Sequence, residues 1–172
     1  MAVNLSARQV GQADLVDRVR GVIERSGPTA SRMCLEITES VLMEESSVAA
    51  MTALKDLGVR LSIDDFGTGY SSLGYLKRFP VDSVKVDRSF VDGLGIDGED
   101  SAIVAAVVSL GHALGLSVVA EGVETSGQLK ELLALGCDRA QGYWFSGPRN
   151  PTEFAGLLHA QPWVKESAAR AS

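Results

Sequence analysis

Two adjacent carboxylates, Asp64 and Asp65, end the run Leu61-Ser62-Ile63 and open into Phe66-Gly67-Thr68-Gly69-Tyr70-Ser71-Ser72-Leu73. Acids recur in the same position elsewhere: Glu36 follows Met33-Cys34-Leu35, Asp87 follows Val84-Lys85-Val86, and Glu121 follows Val118-Val119-Ala120. One acid at a strand end carries little information, whereas four point to a shared site. With Asn4 and Lys85, they form an oxygen-rich set nearly free of His and Cys. Such a set suits Mg²⁺ or Mn²⁺ and argues against structural zinc. Like-charged acids at close range repel unless a cation or proton neutralises them, which is the physical reason to expect metal.

The strand period of two puts Lys85 and Asp87 on one face, where a lysine beside carboxylates can orient or activate a water. The same period sends Asp64 and Asp65 to opposite sides, so their roles should differ. Taken singly, Glu36 or Glu121 reads as a cap or salt-bridge acid and Lys85 as a surface charge. Glu39 and Glu124, three residues beyond Glu36 and Glu121, read as caps of the helices that follow. Gly67-Thr68-Gly69 lacks the third glycine of a dinucleotide fingerprint and reads as a flexible lid. His112 is expected to be structural in mid-helix, and His159 to face solvent.

These residues need a scaffold that brings strand ends together. Three times a helical pattern ends in Leu-Gly and passes into a short strand: Leu57-Gly58 into 60–63, Leu114-Gly115 into 117–120, and Leu135-Gly136 into 139–141. Glycine after a helix accepts the left-handed closing conformation, so these helices read as crossovers between parallel strands. Strands are expected at 3–5, 33–37, 60–64, 84–87, 117–121 and 139–142. The helix over 102–114 is expected to bury Ile103, Val107, Leu110 and Leu114, and Thr125 with Gln128 fits a capping box. The class is α/β with a mainly parallel sheet. In a βα barrel, side chains at the C-terminal strand ends converge on one mouth.

Composition sets the outer bounds. The chain has 172 residues, 45% hydrophobic and 22% charged, and fits one soluble domain. A net charge of -6 without a basic run excludes a generic nucleic-acid surface. Cys34 and Cys137 lie far apart and suit a reducing cytoplasm. The uncharged stretch 101–120 is interrupted by Gly111, His112 and Gly115, so it reads as a helix followed by a strand and not as a membrane span. No secretion signal is read at Met1-Ala2-Val3-Asn4.

The motif series resembles the EAL-domain phosphodiesterases that hydrolyse the bacterial second messenger cyclic di-GMP. Val3-Asn4-Leu5-Ser6, Leu35-Glu36-Ile37-Thr38-Glu39-Ser40, the Asp64-to-Leu73 element, Val84-Lys85-Val86-Asp87, Ala120-Glu121-Gly122-Val123-Glu124 and Gln141-Gly142-Tyr143 occur in family order between Val3 and Leu158. The resemblance implies a TIM-like (β/α) barrel whose Mg²⁺ or Mn²⁺ ions, two in the complete site, activate water to give linear pGpG. It assigns Asn4, Glu36 and Asp64 to the first metal, and Asp65 and Asp87 to positions at or near the second. Lys85 is implied to position the water, and Glu121 to bind metal or act as base. Glu39 is implied to anchor the loop 66–73, while Glu124 and Gln141 complete the substrate pocket.

The family's Glu-Ala-Leu segment, which supplies a metal-binding glutamate, precedes the Asn-Leu-Ser strand and has no counterpart among these residues. The expectation is therefore an incomplete barrel of about six strands over 1–161, with a flexible tail at 162–172, in a bacterial cytoplasmic protein. Taken alone it should be inactive or weak. The alternative is a non-catalytic sensor binding cyclic di-GMP or a protein. A homodimer and upstream regulatory domains are further expectations.

Overall fold

The computed structural model describes residues 1–27, 29–43, 47–69 and 73–160. The expected tail at 162–172 and positions 70–72 of the glycine loop lie outside the described residues. In order, the chain forms β1 (Ala2–Leu5), α1 (Ala7–Val10), α2 (Leu15–Ser26), β2 (Cys34–Thr38), α3 (Ser47–Asp56), β3 (Arg60–Phe66) and α4 (Leu73–Leu76). It continues through β4 (Ser83–Val86), α5 (Arg88–Asp92), α6 (Gly98–Ala113), β5 (Ser117–Ala120), α7 (Ser126–Ala134), β6 (Arg139–Ala140) and α8 (Pro151–Ala160).

The six strands pair in parallel in the order β1-β2-β3-β4-β5-β6. Each crossover advances by one strand, which is the winding of a βα barrel, whereas a doubly wound sheet reverses direction. Among the described residues β1 pairs only with β2 and β6 only with β5, so the sheet is an open section of a barrel. This matches the six-strand expectation. Gly58, Gly115 and Gly136 close their helices at φ values of 85°, 72° and 77°, the left-handed turns that the Leu-Gly repeats predict.

Alternation along the strands separates two faces. Leu35, Ile37, Leu61, Ile63, Val84, Val86, Val118 and Ala120 are each at most 2% exposed and pack with Met51 and Leu54 of α3, Val104 and Val108 of α6, and Leu132 of α7. The opposite face carries Glu36, Ser62, Ser83, Lys85 and Gln141 and lines an open cavity of about 250 Å³. The helices therefore cover the outside, and the polar side chains are left to the barrel interior.

The buried face of α6 differs from the expected stripe. Val104, Val107, Val108 and Gly111 are buried, whereas Ile103 is 37% exposed. Apolar residues surround this helix, so periodicity alone cannot fix its rotation. Close packing does: a Cβ at Gly111 would come within 2.5 Å of Val118 Cγ2 on β5. The helix also starts earlier than expected, at Gly98, because Asp97 Oδ1 accepts the Glu99 N–H at 2.8 Å and caps it.

Candidate metal-binding active site

Lys85 lies on the inner face of β4 with its side chain 6% exposed, and its Nζ meets three carboxylates. Asp64 Oδ1 is 2.8 Å away, Glu36 Oε2 3.1 Å and Glu121 Oε1 2.5 Å. Three neighbouring strands supply them: β2 carries Glu36, β3 carries Asp64, and Glu121 follows β5. Burial acts to lower the Lys85 pKa, but the bonds to Asp64, Glu121 and Glu36 outweigh it and hold the ammonium well above its ordinary value. Burial, helped by Asp64 and Glu36, raises the Glu121 pKa, with Lys85 at 2.5 Å pulling the other way.

Asp65 corrects a sequence expectation. A regular strand would turn it away from Asp64, yet carboxylate oxygens of Asp64, Asp65 and Glu121 all lie within 4.8 Å of one another. The cause is a bulge: Ile63 pairs with Val84 and Phe66 with Val86, leaving one extra residue on β3. Asp65 absorbs it at φ 53°, a left-handed conformation that aspartate tolerates better than most side chains. Burial, followed by Asp64 and Asp87, raises the Asp65 pKa.

Asp87 follows β4 and caps α5, its Oδ1 accepting from the Ser89 N–H at 2.9 Å and the Ser89 hydroxyl at 2.5 Å. The Ser89 hydroxyl is the main cause of its lowered pKa. The Asp87 carboxylate lies close enough to Asp65 to raise the Asp65 pKa, which places it beside the cluster. Asn4 pairs in register with Glu36, is exposed, and sits near the C-terminal end of β1. Gln141 Nε2 donates to Glu121 Oε1 at 2.7 Å.

Glu39 and Glu124 do not have the capping roles expected of them. Glu39, 8% exposed, accepts the Gly67 N–H at 3.2 Å, so its carboxylate is directed to the glycine loop. A Cβ at Gly69 would lie 3.1 Å from Glu39 Oε1, so the loop passes close to this acid. Glu124 Oε1 takes Arg88 Nη2 at 2.7 Å, and α7 is capped instead by the expected Thr125–Gln128 box. His112 lies in the last turn of α6, beyond mid-helix, with Nε2 3.1 Å from Asp138 Oδ2. His159 is exposed, as expected.

Sequence reading passed over Arg88 and Ser89. The available signal was their position directly after Asp87, where first-turn residues reach back to the strand ends. Three carboxylates on one lysine, with Asp65 beside them, leave excess negative charge, and the all-oxygen donor set fits a divalent cation such as Mg²⁺ or Mn²⁺.

Residues 1–148 match the sequence profile of the EAL domain. The chain belongs to the EAL-domain family. It is 49% identical over 150 residues to the Pseudomonas aeruginosa bifunctional diguanylate cyclase/cyclic di-GMP phosphodiesterase MucR, covering 86% of this chain and 22% of that protein. The solved MucR phosphodiesterase in complex with c-di-GMP superposes at TM-score 0.85 and 47% identity, covering 89% of this chain and 63% of the other. A Klebsiella pneumoniae protein, BlrP1, solved with manganese and cy-diGMP, gives TM-score 0.79 at 37% identity, covering 86% of this chain and 38% of that one. BlrP1 has also been solved with calcium and the same nucleotide. The EAL chain spans 20% to 22% of the length of the first curated relatives it matches. EAL domains have a TIM-like barrel, and the open six-strand sheet is a section of that fold.

Proposed function

We propose that this EAL chain is the ligand-bearing portion of a phosphodiesterase domain that hydrolyses cyclic di-GMP to linear pGpG. The observation carrying the reading is the clasp of Lys85 by Asp64, Glu36 and Glu121, with Asp65 turned into the same cluster. Asn4, Glu36 and Asp64 would hold one Mg²⁺ or Mn²⁺. Asp65 and Asp87 would lie at or near a second, and Glu121 would bind metal or act as base. Bound cations supply charge stabilisation for the phosphodiester and lower the pKa of a bound water.

An ammonium has three donors, and in the clasp each meets a carboxylate. A carboxylate that turns to a cation frees one Lys85 N–H, which can then hold and orient the attacking water. Water adds across one P–O bond, opening the cyclic dinucleotide and leaving a terminal phosphate and a hydroxyl. Gln141 holds Glu121 in place, Glu39 anchors the loop beginning at Phe66, and Glu124 borders the substrate pocket.

The Glu-Ala-Leu glutamate would add a further metal ligand, so these residues alone are expected to turn over weakly or not at all. A cytoplasmic bacterial location, homodimerisation and fused regulatory domains belong to the same reading. Calorimetric titration of cyclic di-GMP in Ca²⁺ and in EDTA tests it. Binding that requires Ca²⁺ and disappears in Asp64→Ala is expected; binding indifferent to both would refute the site assignment. Binding without turnover, even after addition of a Glu-Ala-Leu segment, would establish the sensor reading instead.

A further inference from the structure

One side chain spans two of the acid-bearing turns. Arg88 directly follows Asp87, and Gly122 directly follows Glu121. The Arg88 stem packs on Gly122 so closely that a Cβ there would overlap its Cβ, Cγ and Cδ carbons. Gly122 has φ 75°, so the turn carrying Glu121 away from β5 passes beneath the arginine in a conformation glycine favours. Beyond this contact, Arg88 Nη2 is 2.7 Å from Glu124 Oε1 and Nε is 3.2 Å from Asp92 Oδ2.

The planar fork thus ties the far end of the Glu121-Gly122-Val123-Glu124 segment to the far end of α5, whose first turn Asp87 caps. The segment is also held to its sheet neighbours, by the Glu121 N–H on the Val86 carbonyl at 3.2 Å, the Val123 N–H on the Gln141 carbonyl at 3.0 Å, and Lys85 and Gln141 on the Glu121 carboxylate, and to α7 by the Glu124 N–H on Gln128 Oε1 at 2.8 Å; of these contacts only those of Arg88 reach α5. No residue in the resemblance-derived set performs this bridging.

We propose that Arg88 is a positioning residue that fixes the separation of Asp87 and Glu121, and so sets the affinity of the cluster for a divalent cation. This inference rests on the metal-binding reading of the site. Arg88 acts through Gly122 and Glu124 and touches neither carboxylate cluster nor substrate in this role. Its side chain is 51% exposed, so removing it should do little to global stability while loosening the turn. Residues that orient metal ligands from outside typically change metal affinity by about 10- to 100-fold when removed.

The test is Mn²⁺ titration of the 172-residue chain, following free ion by electron paramagnetic resonance, with amide hydrogen exchange and urea unfolding measured in EDTA. Arg88→Ala should weaken Mn²⁺ binding about tenfold, speed exchange at Gly122, Val123 and Glu124, and leave the unfolding midpoint unchanged. Arg88→Lys keeps the stem over Gly122 and a cation near Glu124, and should recover part of the affinity. Wild-type affinity in Arg88→Ala, with binding lost in Asp64→Ala, would overturn the role of Arg88 alone. A fall in affinity matched by a fall in the unfolding midpoint would also overturn it, as a general structural effect. Failure of the wild-type chain to take up Mn²⁺ would overturn the metal reading and this inference with it.

Discussion

Lys85 Nζ and Gln141 Nε2 both reach Glu121 Oε1, at 2.5 Å and 2.7 Å. One carboxylate oxygen therefore holds two donors from the strands on either side of it. Glu121, directly after β5, is the point at which β4 and the residue following β6 meet chemically.

The first prediction concerns the ammonium. Lys85→Met removes the cation facing three carboxylates, and breaking a buried charge cluster costs about 3 kcal/mol. The remaining acids repel, and the Glu121 pKa, already raised by burial, loses the opposing pull of Lys85 and rises further above its unfolded value. Stability linked to a raised pKa is present at low pH and lost as pH increases. The destabilisation should therefore be larger at pH 8 than at pH 5, and Mn²⁺ should restore part of it. Urea unfolding at both pH values, with and without Mn²⁺, measures this.

A second prediction separates charge from backbone strain at Asp65. Asp65→Asn removes a like charge but keeps a side chain suited to φ 53°, so it should stabilise the metal-free fold while weakening Mn²⁺ binding. Asp65→Val also places a β-branched residue in the left-handed region, at a cost of about 1–2 kcal/mol. Thermal melts in EDTA should rank Asn above wild type and wild type above Val.

Much of this arrangement is legible in the sequence, and the parts that are not share a cause. The strands are legible because apolar runs follow Leu-Gly stops and end in acids. The inner-face position of Lys85 is legible because alternation is unbroken through Val84-Lys85-Val86. Asp65 is misread because the bulge beside β4 breaks that alternation, and a bulge depends on pairing with another strand. The face of α6 is misread because Ile103, Val104, Val107 and Leu110 are all apolar, leaving Gly111 against Val118 to decide the rotation. Spacing alone reads Glu39 and Glu124 as caps because their partners, Gly67 and Arg88, are distant in sequence, whereas the family resemblance implies the loop contact of Glu39, whose carboxylate accepts the Gly67 N–H.

Gly111 gives the third prediction. Gly111→Ala would normally favour a helix by about 1 kcal/mol, but its new Cβ meets Val118 Cγ2 at 2.5 Å. Overpacking of this kind costs about 1–3 kcal/mol, so the variant should be less stable than wild type. Gly111→Ala with Val118→Ala should recover part of the loss if this contact is the cause.

The fourth concerns acid stability. Asp138 Oδ2 accepts the Val118 N–H at 2.7 Å, which is the main cause of its lowered pKa; His112 and Arg139 act in the same direction. A depressed folded-state pKa contributes stability above the unfolded value, about 3.9, and that stability is lost as pH falls through the folded pKa. Asp138→Asn should therefore flatten the stability profile below about pH 4, as measured by urea midpoints between neutral and acid pH.

The carboxylate–lysine cluster is proposed to serve metal-dependent hydrolysis of cyclic di-GMP. The direct measurement is chromatographic analysis of cyclic di-GMP incubated with Mg²⁺ or Mn²⁺, comparing the chain alone with a version preceded by a Glu-Ala-Leu segment. The expected result is pGpG from the extended protein, loss of product in its Asp64→Ala variant, and little or none from the chain alone. An extended protein that binds the nucleotide but yields no pGpG with either metal would contradict it.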